Sequence, residues 1–176
     1  MSTDFELRAA VADDARCLGV LATQVFLDTY ATEGIRPAIA NEVLSAFSST
    51  TMRELIRAGR STFWLAERRG HLIGFAQVTA GTTQALVQTP LPAELDRLYV
   101  QEPFTRTGVG TALLQAAQAA AMQRGCTALW LSPWVHNHRA LRFYAKHGYR
   151  NLGLTTFVMD GEAIDNHVLA KAMSVA

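Results

Sequence analysis

Arg106-Thr107-Gly108-Val109-Gly110-Thr111 has the residue types and spacing of an anion site. It follows an extended run, Leu95 to Val100, and a polar loop from Gln101 to Thr107 that contains Pro103. It opens a strong Ala/Leu helix at Thr111-Ala112-Leu113-Leu114. A helix start leaves its first backbone N–H groups without partners inside the helix and gathers the positive end of the peptide dipoles. Gly108 and Gly110 lack a Cβ, so a bulky phosphate can approach these amides, and Arg106 adds a full positive charge beside it. The implied ligand carries phosphates. A dinucleotide fingerprint would need a third glycine where Leu113 stands, and a Walker A loop would need a Gly-Lys-Ser/Thr that the chain lacks.

Two further groups flank this loop. On the preceding strand, alternation puts Glu94, Asp96 and Leu98 on one face and Leu95, Arg97 and Tyr99 on the other, so one face carries two carboxylates. Beyond the helix, the stretch Trp134 to Tyr149 joins a capping residue, Asn137, to an aromatic-rich helix in which Tyr144 suits either a core or the edge of a site. His136 and His138, two residues apart at a helix start, point in different directions, and no carboxylate or Cys cluster completes a metal site. No metal is expected. Ser132 has neither a nucleophile elbow nor a recognisable triad.

The elements that must position these groups follow in order. Phe5 to Ala10 predicts a first strand. Asp13 or Asp14 would then cap a helix whose apolar stripe is Ala15, Leu18, Leu21, Ala22, Val25 and Phe26. A looser segment from Asp28 to Ser48 holds a short helix around Ile39 to Phe47. Thr51 and Glu54 form a capping box for a helix that Gly59 ends. Ser61 to Arg68 and Leu72 to Ala80 read as an antiparallel hairpin, and a long loop from Gly81 to Pro92 leads to the central strand. After Gly125, the apolar strand Ala128 to Ser132 would lie parallel to that central strand. Tyr149 to Val158 and His167 to Met173 complete an α/β sheet.

Composition narrows the function. The 176 residues, 49% hydrophobic and 18% charged, suit one domain over 1–176 with a full core. A net charge of +1 without blocks of like charge offers no bulk field for nucleic acid or an anionic membrane. The start, Met1 to Arg8, lacks the pattern of a secretion signal, and the most apolar helix is too short to span a membrane. Cys17 and Cys126 form no framework and are expected to be reduced core thiols, consistent with a cytoplasmic protein.

The loop Thr105-Arg106-Thr107-Gly108-Val109-Gly110 resembles the acetyl-CoA pyrophosphate loop of the GNAT superfamily of N-acetyltransferases, Gln/Arg-x-x-Gly-x-Gly/Ala, with Thr105 where that family usually has Gln or Arg. The later stretch resembles the same family's Asn-x-x-Ala-x-x-Phe-Tyr-x-x-x-Gly-Phe/Tyr segment, matched by Asn137, Ala140, Phe143, Tyr144, Gly148 and Tyr149. Within the superfamily, Phe26 to Tyr30 and Phe157 to Leu169 are most similar to the bacterial spermidine/spermine (PaiA-like) branch. This resemblance implies a mixed, twisted sheet with helices on both faces, acetyl-CoA as cosubstrate, and a small-molecule primary amine, a polyamine among them, as acceptor. It also implies that Leu98, Tyr99 and Val100 hold the pantetheine together with Asn137, that Arg106 to Thr111 hold the pyrophosphate, and that Tyr144 is the acid for the departing thiolate. A base on or near the central strand is implied, with Glu94 and Asp96 both open. The alternatives are a non-catalytic acyl-CoA sensor and a peptide or protein N-acetyltransferase. Oligomeric state is left open, a homodimer being the commonest assembly.

Overall fold

The computed structural model describes residues 4–173, so the part of the N-terminal expectation that rests on Met1 to Thr3 lies outside the described residues. Seven strands and five helices alternate as β1 (Glu6–Ala9), α1 (Ala15–Tyr30), α2 (Pro37–Ala46), α3 (Ser49–Ala58), β2 (Ser61–Arg68), β3 (His71–Ala80), β4 (Pro92–Val100), α4 (Val109–Gln123), β5 (Ala128–Leu131), α5 (His138–Lys146), β6 (Arg150–Met159) and β7 (Glu162–Ala172). They form one mixed sheet in the order β1-β2-β3-β4-β5-β7-β6. Only β4 and β5 pair in parallel. Leu113, Leu114 and Ala117 of α4 pack with Ala76, Val78 and Leu95 on one face. Leu18 and Phe26 of α1, Ile39 of α2 and Met52 of α3 pack with Phe63, Leu65 and Phe75 on the other.

Local chemistry explains most boundaries. The turns Arg69-Gly70 and Asp160-Gly161 take left-handed φ at both central positions, 52° and 76°, then 49° and 81°, as a two-residue hairpin requires. Two expected caps are corrected. Ser48, not Thr51, caps α3, because its hydroxyl accepts from the Thr51 amide at 3.1 Å while the Thr51 hydroxyl donates to the Ser45 carbonyl. Asp14 gives its carboxylate to Arg8 and to the Val11 amide, and a short 3₁₀ turn, Ala12–Asp14, leads into α1 instead. Cys126 is buried, but Cys17 is exposed and not a core thiol, since it lies off the stripe through Leu18 and Leu21.

Two irregularities of β4 shape the site. Gln77 pairs with Arg97 but the next residue, Val78, pairs with Leu95, so Asp96 is the extra residue of a β-bulge. The expected alternation is therefore broken. Glu94, Asp96, Arg97 and Tyr99 all turn to the α1–α3 face, while Leu95, Leu98 and Val100 pack toward α4. The parallel pairing of β4 with β5 covers only Pro92–Glu94 against Ala128–Trp130, and beyond it the strands part.

Candidate active site

The gap between β4 and β5 brings together Glu94, Asp96, Leu98, Tyr99, Val100, Gly110, Asn137 and Tyr144, while Arg106 to Val109 and Thr111 do not line its cavities. A cavity of about 190 Å³ is lined by Leu98, Tyr99 and Val100 of β4, by Gly110 of α4 and by Asn137 and Tyr144. The backbone of β4 from Leu95 to Val100 has no β5 partner, so its outward amides and carbonyls remain available to a ligand that lies along it as an added strand.

At one end of this channel stands the start of α4. Gly108 caps it with φ 93°, a conformation a residue with a Cβ adopts only under strain. A Cβ on Gly110 would stand 3.6 Å from the Phe143 ring, in ordinary van der Waals contact, so a side chain larger than a methyl group there would extend along the channel wall. Arg106 also takes a left-handed φ, 64°, and is exposed beside the loop. At three of the expected contacts the side chain is already engaged within the protein. Val109 buries its side chain, the Thr107 hydroxyl donates to the Phe104 carbonyl at 2.7 Å, and the Thr111 hydroxyl is hydrogen-bonded to His147 at 3.3 Å. Thr105 lines the cavity itself. Across the mouth, Arg139 is paired with Glu102 at 2.5 Å; this pairing, with a lesser contribution from Arg106, holds the Glu102 carboxyl below its usual range.

Asn137 caps α5 as expected, its side-chain oxygen accepting from the Ala140 amide at 3.1 Å. Two turns on, Tyr144 is 6% exposed, its ring centre 5.2 Å from that of Phe143 and 5.5 Å from that of Tyr149. Burial, reinforced by Tyr149 and Tyr99, raises its phenol above the ordinary value, so the hydroxyl stays protonated and able to donate. No described residue accepts from it. Tyr144 lines both the channel and an adjoining cavity of about 130 Å³ that reaches through to the α1 side.

That second cavity holds both carboxylates. Glu94 is half-buried, and desolvation, with repulsion from Asp96 and partly opposed by Arg97, pushes its carboxyl up to about 7. Asp96, more exposed, is also raised by desolvation, but the Thr79 hydroxyl donating at 2.7 Å and the charge of Arg97 pull it back. Tyr30 is a wall residue that the resemblance over Phe26 to Tyr30 includes without giving it a role. It ends α1 with its ring centre 4.5 Å from that of Phe26 and 5.6 Å from that of Trp134. The His136 and His138 ring centres are 6.4 Å apart, and no third ligand joins them among the described residues. No helix of the described residues is long and apolar enough to cross a membrane.

Comparison with known proteins agrees with this geometry. Residues 30–149 match the acetyltransferase (GNAT) family. An uncharacterized N-acetyltransferase of Mycobacterium bovis is 28% identical over 142 residues, 78% of this chain and 86% of its own. The PaiA N-acetyltransferase of Thermoplasma acidophilum, solved in complex with coenzyme A, shares the fold with a TM-score of 0.75 at 23% identity, over 98% of this chain and 100% of that one. A putative acetyltransferase of Salmonella typhimurium, solved with its cofactor acetyl-CoA, shares it with a TM-score of 0.72 at 15% identity, over 98% and 95%.

Proposed function

The chain belongs to the GNAT acetyltransferase family, and from that premise we propose that it moves the acetyl group of acetyl-CoA to a primary amine of a small molecule, by direct attack in a ternary complex. The observation that carries this is the parting of β4 from β5. It joins a channel ending at the α4 amides to a small pocket that contains a carboxylate titrating near neutrality.

In this proposal the pyrophosphate lies on the amides from Thr107 to Thr111, with Arg106 adding charge, and the pantetheine lies along Leu98, Tyr99 and Val100 and beside Asn137. An alkylammonium with a pKa about 10 is only about one part in a thousand neutral at pH 7, a deficit of roughly 4 kcal/mol against attack. Glu94 takes that proton, and Asp96, held by the Thr79 hydroxyl, acts on it through charge. The amine nitrogen then bonds to the thioester carbon, the carbon–sulfur bond breaks, Tyr144 donates its proton to the leaving thiolate, and the second proton that the nitrogen sheds on becoming an amide passes through solvent to restore the Tyr144 phenol. Positioning supplies much of the rate, because both substrates meet in one gap. Residues 1–176 would work as one domain, since both cores share one sheet, and the cosubstrate goes with a cytoplasmic location.

A pocket of about 130 Å³ suits a small amine better than a peptide. Within that class a polyamine is the narrower acceptor that the resemblance implies. Glu94 and Asp96 favour a first ammonium there, whereas Arg97 in the same pocket opposes a second. Thiol release from acetyl-CoA, measured across a panel of amines, tests the proposal. Amine-dependent release is expected, and CoA binding without it across a broad panel would leave a non-catalytic acyl-CoA module.

A further inference from the structure

The acceptor pocket contains a cation that forms no direct ion pair, although its charge is felt by both Glu94 and Asp96. Arg97 is half-buried on β4, its guanidinium carbon 5.1 Å from the ring centre of Phe47, and one of its N–H groups donates to the side-chain oxygen of Gln77. Gln77 is neutral and 2% exposed. Asp96, its neighbour in the chain, turns to Thr79 instead, and among the described residues no Asp or Glu oxygen comes within 4.0 Å of Arg97. Arg8, Arg36, Arg68 and Arg139, by contrast, each pair with a carboxylate. A guanidinium has five donors in a planar fork that matches a carboxylate in two parallel hydrogen bonds. Phe47 and Gln77 hold this fork while leaving donors unused, and a half-buried guanidinium whose nearby carboxylates do not contact it gains from a ligand that does.

On the reading that this chain acetylates a small amine, we infer that Arg97 is the anion-binding residue of the acceptor pocket, and that the preferred acceptor carries a carboxylate as well as its primary amine. The wall presents two carboxylates and one guanidinium on the same face of β4, and since an oxygen of Asp96 is engaged by Thr79, Glu94 and Arg97 are the pair open to a ligand in the 130 Å³ cavity. A zwitterion is the complement of that pair, its ammonium against Glu94 and its carboxylate on Arg97. A polyamine offers only ammonium groups, the second of which would meet the like charge of Arg97 without gaining a partner for it.

The test compares amino acids with their own decarboxylated amines, for instance phenylalanine with phenethylamine, and with spermidine, by thiol release at saturating acetyl-CoA. The wild-type protein should favour the carboxylate-bearing member about 10- to 100-fold in kcat/KM, the scale of a lost charge-assisted hydrogen-bond pair. In Arg97→Gln the ratio within each pair should fall to near one, and Arg97→Lys should keep part of it, because the charge remains but the fork is lost. A common loss of activity cancels in this ratio. Equal wild-type kcat/KM for the two members, spermidine as the best acceptor, or a ratio preserved in Arg97→Gln would each overturn the inference and leave amine acetylation standing. If no amine is turned over, acetylation itself fails, and calorimetric binding of the same pairs to the CoA-loaded protein still decides the role of Arg97: tighter binding of the amino acid supports it, and equal binding overturns it.

Discussion

Glu94 and Asp96 stand on one face of one strand, yet their surroundings assign them different work. Asp96 is the bulged residue and spends an oxygen on Thr79, while Glu94 is half-buried with its carboxyl raised to about 7, where a base both exists and is strong enough to be useful. Glu94→Gln should therefore lower kcat/KM about 10²–10⁴-fold at pH 7, and Asp96→Asn less than about tenfold. Because the base must be ionised, wild-type kcat/KM should rise with pH through about 7. Arg97→Gln removes a charge that favours the carboxylate and should shift that limb upward. A stability signature of opposite sense accompanies it. The folded protein binds the Glu94 proton more tightly than the unfolded chain, whose carboxyl keeps its usual 4.5, so stability falls as pH rises from 4.5 through about 7. Glu94→Gln should melt above wild type at pH 8, with the gap closing toward pH 4.5; parallel melting curves against pH would remove Glu94 from this role. Tyr144→Phe deletes one oxygen and keeps the packed ring. It should bind acetyl-CoA normally yet turn over roughly ten- to a thousandfold more slowly, and wild-type turnover would return Tyr144 to the core.

At the scale of elements, the features that could be read from the chain are those decided by a few neighbouring residues. Gly108 before α4, Asn137 before α5 and the hairpin at Arg69-Gly70 each satisfy a local backbone need, and all stand where expected. The bulge at Asp96 could not be read that way, because it is set by pairing with Gln77 and Val78 on another strand and by a Thr79 hydroxyl 17 residues away. Ser48 displaced Thr51 as a cap for a similar reason, since the Thr51 hydroxyl found the Ser45 carbonyl in the preceding turn. Tyr30 joined the pocket only when α1 packed against the loop that carries Trp134. The start of α4 yields the prediction proper to this scale. With 3.6 Å to the Phe143 ring, a methyl group at Gly110 meets ordinary van der Waals contact, so Gly110→Ala should fold and melt close to wild type. The added methyls of Gly110→Val have Phe143 on one side and the channel on the other, and should raise the KM for acetyl-CoA at least about tenfold in a folded protein. Unchanged CoA affinity in folded Gly110→Val would move the phosphate away from this helix start.

The described residues form two main hydrophobic cores on opposite faces of one sheet, with a smaller cluster of Val87, Ala128, Trp130 and Val168, and the sheet has its shortest pairing along the line where we place the chemistry. Strands β1 to β4 lie on one side of that line and β5, β7 and β6 on the other, joined directly by parallel pairing over Pro92–Glu94 alone. Further connections run through α4 and α5, with Gly110 of α4 and Phe143 and Tyr144 of α5 lining the channel, and through the contact of Tyr30 with Trp134. A cosubstrate lying in the gap would hydrogen-bond to the free edge of β4 and to the start of α4 while packing on α5, bracing the two halves against each other. Binding to the folded state alone stabilises it by about 2.7 kcal/mol at a ligand concentration 100 times Kd. For a chain of this length that corresponds to a rise in Tm of roughly 5–11 °C. Acetyl-CoA should produce a shift of that size in a thermal melt, and desulfo-CoA, which keeps the phosphates and the pantetheine, should produce most of it. Gly110→Val should lose most of the shift at the same concentration, because its apparent Kd rises while its unliganded Tm stays near that of wild type. A wild-type melt that acetyl-CoA leaves unmoved at millimolar concentration would mean that the gap between β4 and β5 is not where the cosubstrate binds, and the acceptor pocket beyond it would lose the partner its carboxylates are placed to serve.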